Sequence, residues 1–266
     1  MLLQLKHRTD RFLLRIVGTD VVCQLNASYV PSSDDGKYYV YADEVYQDGP
    51  TGSIVASVDA GTSVAVSFPL NHNTPESNLS RKFLIAVKRG GTMVQVSNEH
   101  YITNPEAIAA YTSARMTTGI KGILPDVSRL STGELQDLGV QQVVYNLNFD
   151  DICSDASVPG AIPFNYNGKT YYFDGPMISG YDGLIKHFNN NGIQVTMVLL
   201  NCGKGAYSQD LVHPLARNGV ECPGYALNVA EPAGTEHLKA IAAFLGQRYS
   251  GALGFGQIDN WILGNE

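Results

Sequence analysis

Seven side chains in this sequence could do chemistry together if folding gathered them: Asp126, Asn146, Asn148, Asn201, His213, Asn265 and Glu266. Glu266 carries a carboxyl group able to give or take a proton, and His213 an imidazole that titrates near neutrality. The four Asn amides and Asp126 add hydrogen-bond donors and acceptors of the kind that grip hydroxyl groups. Each residue also has a plainer reading. Glu266 alone is an exposed carboxylate, Asn148 alone caps a loop by local backbone bonds, and His213 sits in an ordinary V-H-P step. What favours chemistry is placement, because all but His213 lie at or just after the end of an apolar run.

Those runs are the elements that must position them. Gly119–Leu124 ends in Pro125-Asp126, Val140–Leu147 carries Asn146 and leads to Asn148, and Ile193–Leu200 runs into Asn201 and Cys202. Ile258–Leu263 runs through Gly264 into Asn265 and Glu266. Between them fall helical patterns. Ser131 and Glu134 have capping-box spacing for a short helix through Leu138. Tyr181, Leu184, Ile185 and Phe188 share one helix face, closed by Gly192. Leu238, Ile241, Ala242, Leu245 and Tyr249 give Thr235–Tyr249 an apolar stripe. Strands alternating with helices predict a parallel sheet covered by helices, either a barrel or an open doubly wound sheet. In both, the carboxyl ends of the strands share one face, the usual place for a site. Two long excursions open onto that face, Asp150–Met177 with a hairpin around N-Y-N-G-K-T-Y-Y-F, and Gly203–Gly234 with His213 in it. His187 and His237 are expected on helices away from that face, and Trp261 inside its strand as core.

The sequence before this region has a different texture. Phe12–Val17, Val21–Leu25 and Tyr38–Tyr46 read as strands, and S-I-V-A-S-V-D-A-G-T-S-V-A-V-S-F-P-L as a hairpin turning at Asp59–Gly61. Phe83–Lys88 and Met93–Val96 make another around R-G-G-T. This predicts an antiparallel β-sandwich over residues 1–103, with some of Tyr38, Tyr39, Tyr41 and Tyr46 in its core. Residues 104–117 follow as a linker whose Asn104-Pro105 step starts a turn or short helix, and residues 118–266 form the β/α domain.

Composition narrows the function classes. Eighteen Lys and Arg stand against 25 Asp and Glu, a net charge of -7 with no basic run, which argues against a nucleic-acid partner. No apolar stretch reaches the roughly 18 residues of a membrane span, so no membrane is expected, and the first residues lack the pattern of a signal peptide. No phosphate-binding Gly-rich loop and no G-x-S-x-G occur, and the six His residues show no metal-ligand spacing, so neither cofactor nor metal is expected. The four Cys are too irregular for a disulfide framework. Cys202 and Cys222 could pair within one excursion or, like Cys23 and Cys153, remain thiols.

The segment W-I-L-G-N-E, ending the fourth strand of a β/α series, resembles the corresponding strand of the clan A glycoside hydrolases, retaining enzymes built on a (β/α)8 TIM barrel. The whole layout, with Q-V-S-N-E-H-Y-I-T-N-P-E at the joint, is similar to an uncharacterised bacterial glycosidase-like family. The resemblance implies that Glu266 is the acid/base and that Asn265 contacts the sugar hydroxyl beside the reacting carbon. It implies Asn146, Asn148, Asn201, Asp126 and His213 as sugar-binding candidates, a carbohydrate substrate, and a secreted or cell-surface protein when complete. Retaining hydrolysis needs a second carboxylate about 5 Å from the first. The family's nucleophile, a Glu on the seventh strand, has no counterpart here, so the chain is expected to be the front half of a barrel, inactive by itself. Two other readings stand beside this one: a noncatalytic carbohydrate-binding or surface protein on the same scaffold, and an open α/β domain with a small-molecule site.

Overall fold

The computed structural model describes residues 11–109, 119, 121–203, 207–217 and 226–264, and contacts divide the chain into two compact units, Met1–Tyr111 and Thr112–Glu266. Among the described residues the first unit holds seven strands: β1 (Arg11–Val17), β2 (Asp20–Asn26), β3 (Lys37–Asp43), β4 (Ser53–Asp59), β5 (Ser63–Pro69), β6 (Lys82–Arg89) and β7 (Thr92–Gln95). They form two antiparallel sheets, in the orders β1-β2-β5 and β4-β3-β6-β7. Side chains alternate across a strand, so every second residue faces inward. Phe12, Leu14 and Ile16 from β1, Val21, Cys23 and Leu25 from β2, Tyr38, Val40 and Ala42 from β3, and Phe83, Ile85 and Val87 from β6 make one core shared by both sheets. Tyr38 and Tyr41 are buried, as alternation required for part of the Tyr cluster.

Two turns with the same kind of chemistry have different outcomes here. Gly90 and Gly91, both at positive φ (56° and 78°), close a true hairpin between β6 and β7. The turn at Asp59–Gly61 closes none: β4 pairs with β3 while β5 pairs with β2, so the chain crosses there from one sheet to the other. After β7, Asn104 completes the edge of β1. Its Oδ1 accepts from the Ile16 N–H at 2.7 Å and its Nδ2 donates to the Ile16 carbonyl at 3.0 Å, before a 3-10 turn over Pro105–Ile108.

The second unit contains β8 (Gly122–Ile123), α1 (Glu134–Asp137), β9 (Gln142–Asn148), α2 (Phe149–Ile152), β10 (Cys153–Ser154), β11 (Ile162–Tyr166), β12 (Lys169–Phe173), α3 (Gly175–Asn190), β13 (Gln194–Leu200), α4 (Ser208–Leu211), α5 (Pro232–Arg248) and β14 (Asn260–Leu263). Strands β8, β9, β13 and β14 form a parallel sheet in which neighbours in space are neighbours in sequence. Strands β10, β12 and β11 form a separate antiparallel sheet inside the excursion after β9, with Asn167-Gly168 at the tip of the β11–β12 hairpin.

One face of the parallel sheet supplies the core. Val143 and Leu147 of β9, and Val195, Met197 and Leu199 of β13, pack against Ile178, Ile185 and Phe188 of α3 and Ile241, Phe244 and Leu245 of α5. Gly192, at φ 70°, ends α3 while the Ile193 N–H returns to the Phe188 carbonyl at 2.9 Å, a left-handed helix stop. The other face carries Val144, Asn146, Thr196, Val198, Asn260 and Ile262 in register. Of these, Val144 and Ile262 are 37% and 42% exposed.

Three local expectations are corrected. The capping box at Ser131 and Glu134 does not form: residues 127–132 make a 3-10 turn capped by Asp126, α1 starts from Gly133 at φ 80°, and Glu134 pairs with Arg129. The first strand is only Gly122–Ile123, and its residues are exposed. Trp261 is 37% exposed, on a strand that is an edge among the described strands.

Candidate functional site

Two adjacent parallel strands deliver a group of polar side chains at their carboxyl ends. At the end of β9, Asn148 Nδ2 donates to Asp151 Oδ2 at 3.0 Å and Asn148 Oδ1 accepts from the Cys202 thiol at 3.6 Å. Two residues on, Asp150 Oδ2 accepts from the Cys202 N–H at 2.7 Å. Asn148 and Asp150 thereby bridge the start of one excursion to the start of the other. Asn201, 3% exposed, donates from Nδ2 to the Leu211 carbonyl at 2.9 Å, while its Oδ1 is buried with no hydrogen-bond partner among the described residues. Burying an unpaired amide oxygen costs roughly 1–3 kcal/mol.

The other predicted residues are less gathered. Asn146 is exposed on the sheet face opposite the helices, and its carbonyl, not its side chain, accepts from the Tyr181 hydroxyl at 3.3 Å. Burial lifts that Tyr181 hydroxyl to a pKa of about 12, so it serves as a neutral donor. Asp126 accepts from the Ser128 hydroxyl at 2.7 Å and from its N–H at 2.9 Å, and these bonds hold the carboxyl below its ordinary range. His213 Nδ1 accepts from the Leu215 N–H at 3.2 Å and caps a 3-10 turn over Pro214–Ala216. Both are local caps, and no described contact ties either to the Asn148 group. Asn265 and Glu266 lie outside the described residues, as does Cys222. The last described position before them, Gly264, follows β14 and donates its N–H to the Leu199 carbonyl at 3.0 Å.

Asp150, Asp151 and Cys202 belong to the group although sequence reasoning passed over them. The available signal was adjacency, since each follows Asn148 or Asn201 within three residues. Cys153 lies near Asp150, and burial followed by that carboxylate raises its thiol to about 12, so it stays protonated.

A second cluster occupies the excursion after β13. Arg217 pairs with Glu231 and donates from Nε to the Val212 carbonyl at 3.2 Å. Asn228, fully buried, donates from Nδ2 to the Asp210 carbonyl and to Glu231 Oε2, each at 2.9 Å. Gly234, in the first turn of α5, lies so close that an added Cβ would come within 2.4 Å of Asn228. His237 is also here and not remote: it is 4% exposed in the second turn of α5, facing Asp210, Tyr171 and Tyr207. Helix α5 begins where the excursion returns, so its first turns lie at the loop end of the unit.

Among the described residues no group of three His, Cys, Asp or Glu side chains could hold a metal, and no helix is long and apolar enough to cross a membrane.

No curated protein matches this chain. Among solved structures, it is similar to a β-glucuronidase from an uncultured Clostridium species, with 9% identity and a TM-score of 0.23 over 92% of this chain and 35% of that one. It is likewise similar to the β-glucuronidase of Ruminococcus gnavus, with 10% identity and a TM-score of 0.22 over 71% of this chain and 28% of that one. The chain spans about a third of the length of these enzymes, and superpositions this loose assign it neither fold nor activity. Residues 113–266 match the sequence profile described as Family of unknown function (DUF5722), and the chain belongs to that family.

Proposed function

We propose that the chain is the front of a retaining glycoside hydrolase: a β-sandwich over residues 1–103, a linker over 104–117, and the first four β/α units of a TIM barrel over 118–266. The observation that most supports this is the unbroken order β8-β9-β13-β14. A doubly wound sheet reverses its strand order at a switch point, where its ligand binds. A barrel adds each strand beside the last, and no reversal occurs among the described strands. The exposed face bearing Val144, Asn146 and Ile262 suits the inner wall of a barrel that further strands would close.

In this reading Glu266 protonates the leaving oxygen and later activates water, and Asn265 holds the neighbouring sugar hydroxyl. Asn146, lying exposed on the inner face, and Asn148, at the strand end, contact substrate. The nucleophile is a second carboxylate from a strand that follows β14. The substrate is an oligosaccharide or polysaccharide, and the protein works outside the cell or on its surface. A noncatalytic sugar-binding protein on the same scaffold would have that second carboxylate replaced.

The test is the stereochemical course of hydrolysis, followed by proton NMR of the first-formed sugar from the natural full-length protein on a panel of aryl glycosides. Retention of anomeric configuration is expected. Inversion, or binding of sugars with no turnover of any glycoside in the panel, would sink the proposal.

A further inference from the structure

His237 joins three elements at one buried ring. From α5 it meets Tyr171 of β12 with ring centroids 5.2 Å apart and Tyr207, just before α4, edge-on at 4.8 Å. Its Nδ1 is 3.5 Å from Asp210 Oδ2 of α4, without hydrogen-bond alignment. Described residues of the excursions after β9 and β13, namely Tyr171, Tyr207 and Asp210, meet at this imidazole. The charged groups facing it are Asp210 from α4 and Lys169 from β12, whose Nζ lies 4.9 Å from the Tyr171 ring centre. Glu236, next to it on α5, is turned to Lys239 and Asn167. The Asp210 side chain is 38% exposed and that of His237 only 5%, so the carboxylate is half in water while the ring is dry.

We propose that His237 is a pH-operated latch: the neutral ring clasps β12 and α4 against α5, and a proton taken up from solvent releases α4 with Tyr207 and Asp210. Burial holds the clasped ring's proton affinity below the ordinary His range, against the smaller opposing pull of Asp210. A released ring in water titrates near 6.5. Between that value and the lower one of the clasped ring, the open form binds the proton that the closed form refuses, so closure is complete above the ordinary range and weakens as pH falls. Nothing in this depends on which reaction the strand-end face carries.

Amide hydrogen exchange of the full chain, corrected for intrinsic pH dependence and compared at about pH 7.5 and about pH 5, reads the latch directly. Residues 207–217 and 226–231 are expected to lose protection at the lower pH, while α3 is unchanged. In His237→Phe, and in His237→Gln should the first variant misfold, the acid increase is expected to disappear. Equal protection at both pH values in the natural protein, or an acid increase that survives both substitutions, would overturn the proposal.

Discussion

Asp182 and Arg248 tie α3 to α5 by two charge-assisted bonds, Nε to Oδ1 at 2.9 Å and Nη2 to Oδ2 at 2.6 Å, with only 12% and 14% of the side chains exposed. The guanidinium also lies 3.6 Å from the Phe255 ring centre. Removing one partner of such a pair strands the other charge, so Asp182→Ala should cost about 3 kcal/mol, readable as a lower denaturation midpoint at unchanged m-value. An unchanged midpoint would mean the pair is solvated. The sequence announced neither partner, because Asp182 sits between Tyr181 and Gly183 with no local cue to its partner 66 residues away. Asn148 and Asn201 were legible as strand-end residues because position at or after the end of a strand is a local property. Asp126 and His213 were legible as polar loop residues, but their hydrogen bonds go to the next turn of backbone, and only coordinates separate a cap from a ligand contact.

At the scale of elements, glycines within the long helices α3 and α5 meet opposite demands. An added Cβ at Gly180 or Gly183 meets nothing within 4 Å, whereas at Gly234 it would meet the Asn228 side chain and carbonyl at 2.4 Å. Gly180→Ala and Gly183→Ala should therefore each stabilise by roughly 0.5–1 kcal/mol, the helix-propensity gain. Gly234→Ala should reverse the sign and lose about 1–3 kcal/mol through overpacking. Thermal melts of the three variants check both signs. Both long helices were readable from their apolar stripes, since a period of 3.6 is set by the chain itself. The pairing of β4 and β5 was not, because the turn at Asp59–Gly61 has the same chemistry whether the chain folds back or crosses to the facing sheet. Trp261 was misjudged for a related reason: composition marks a strand as apolar, but only its neighbours decide whether it is covered.

For the whole molecule, the account rests on the sheet order β8-β9-β13-β14 and on the residues to which β14 leads. Alternation of strand and helix in the sequence gave two candidate folds, and adjacency of consecutive strands is what favours the barrel. The central claim is that Glu266 supplies the proton to the departing sugar oxygen. The measurement that tests it most directly compares Glu266→Gln with the natural full-length protein on glycosides of good and poor leaving groups. General acid catalysis contributes about 10²–10⁴-fold, and a leaving group that needs no proton escapes the loss. The account predicts a fall in kcat/KM of about that size for poor leaving groups and little change for good ones. An equal effect on both, or none on either, would contradict it.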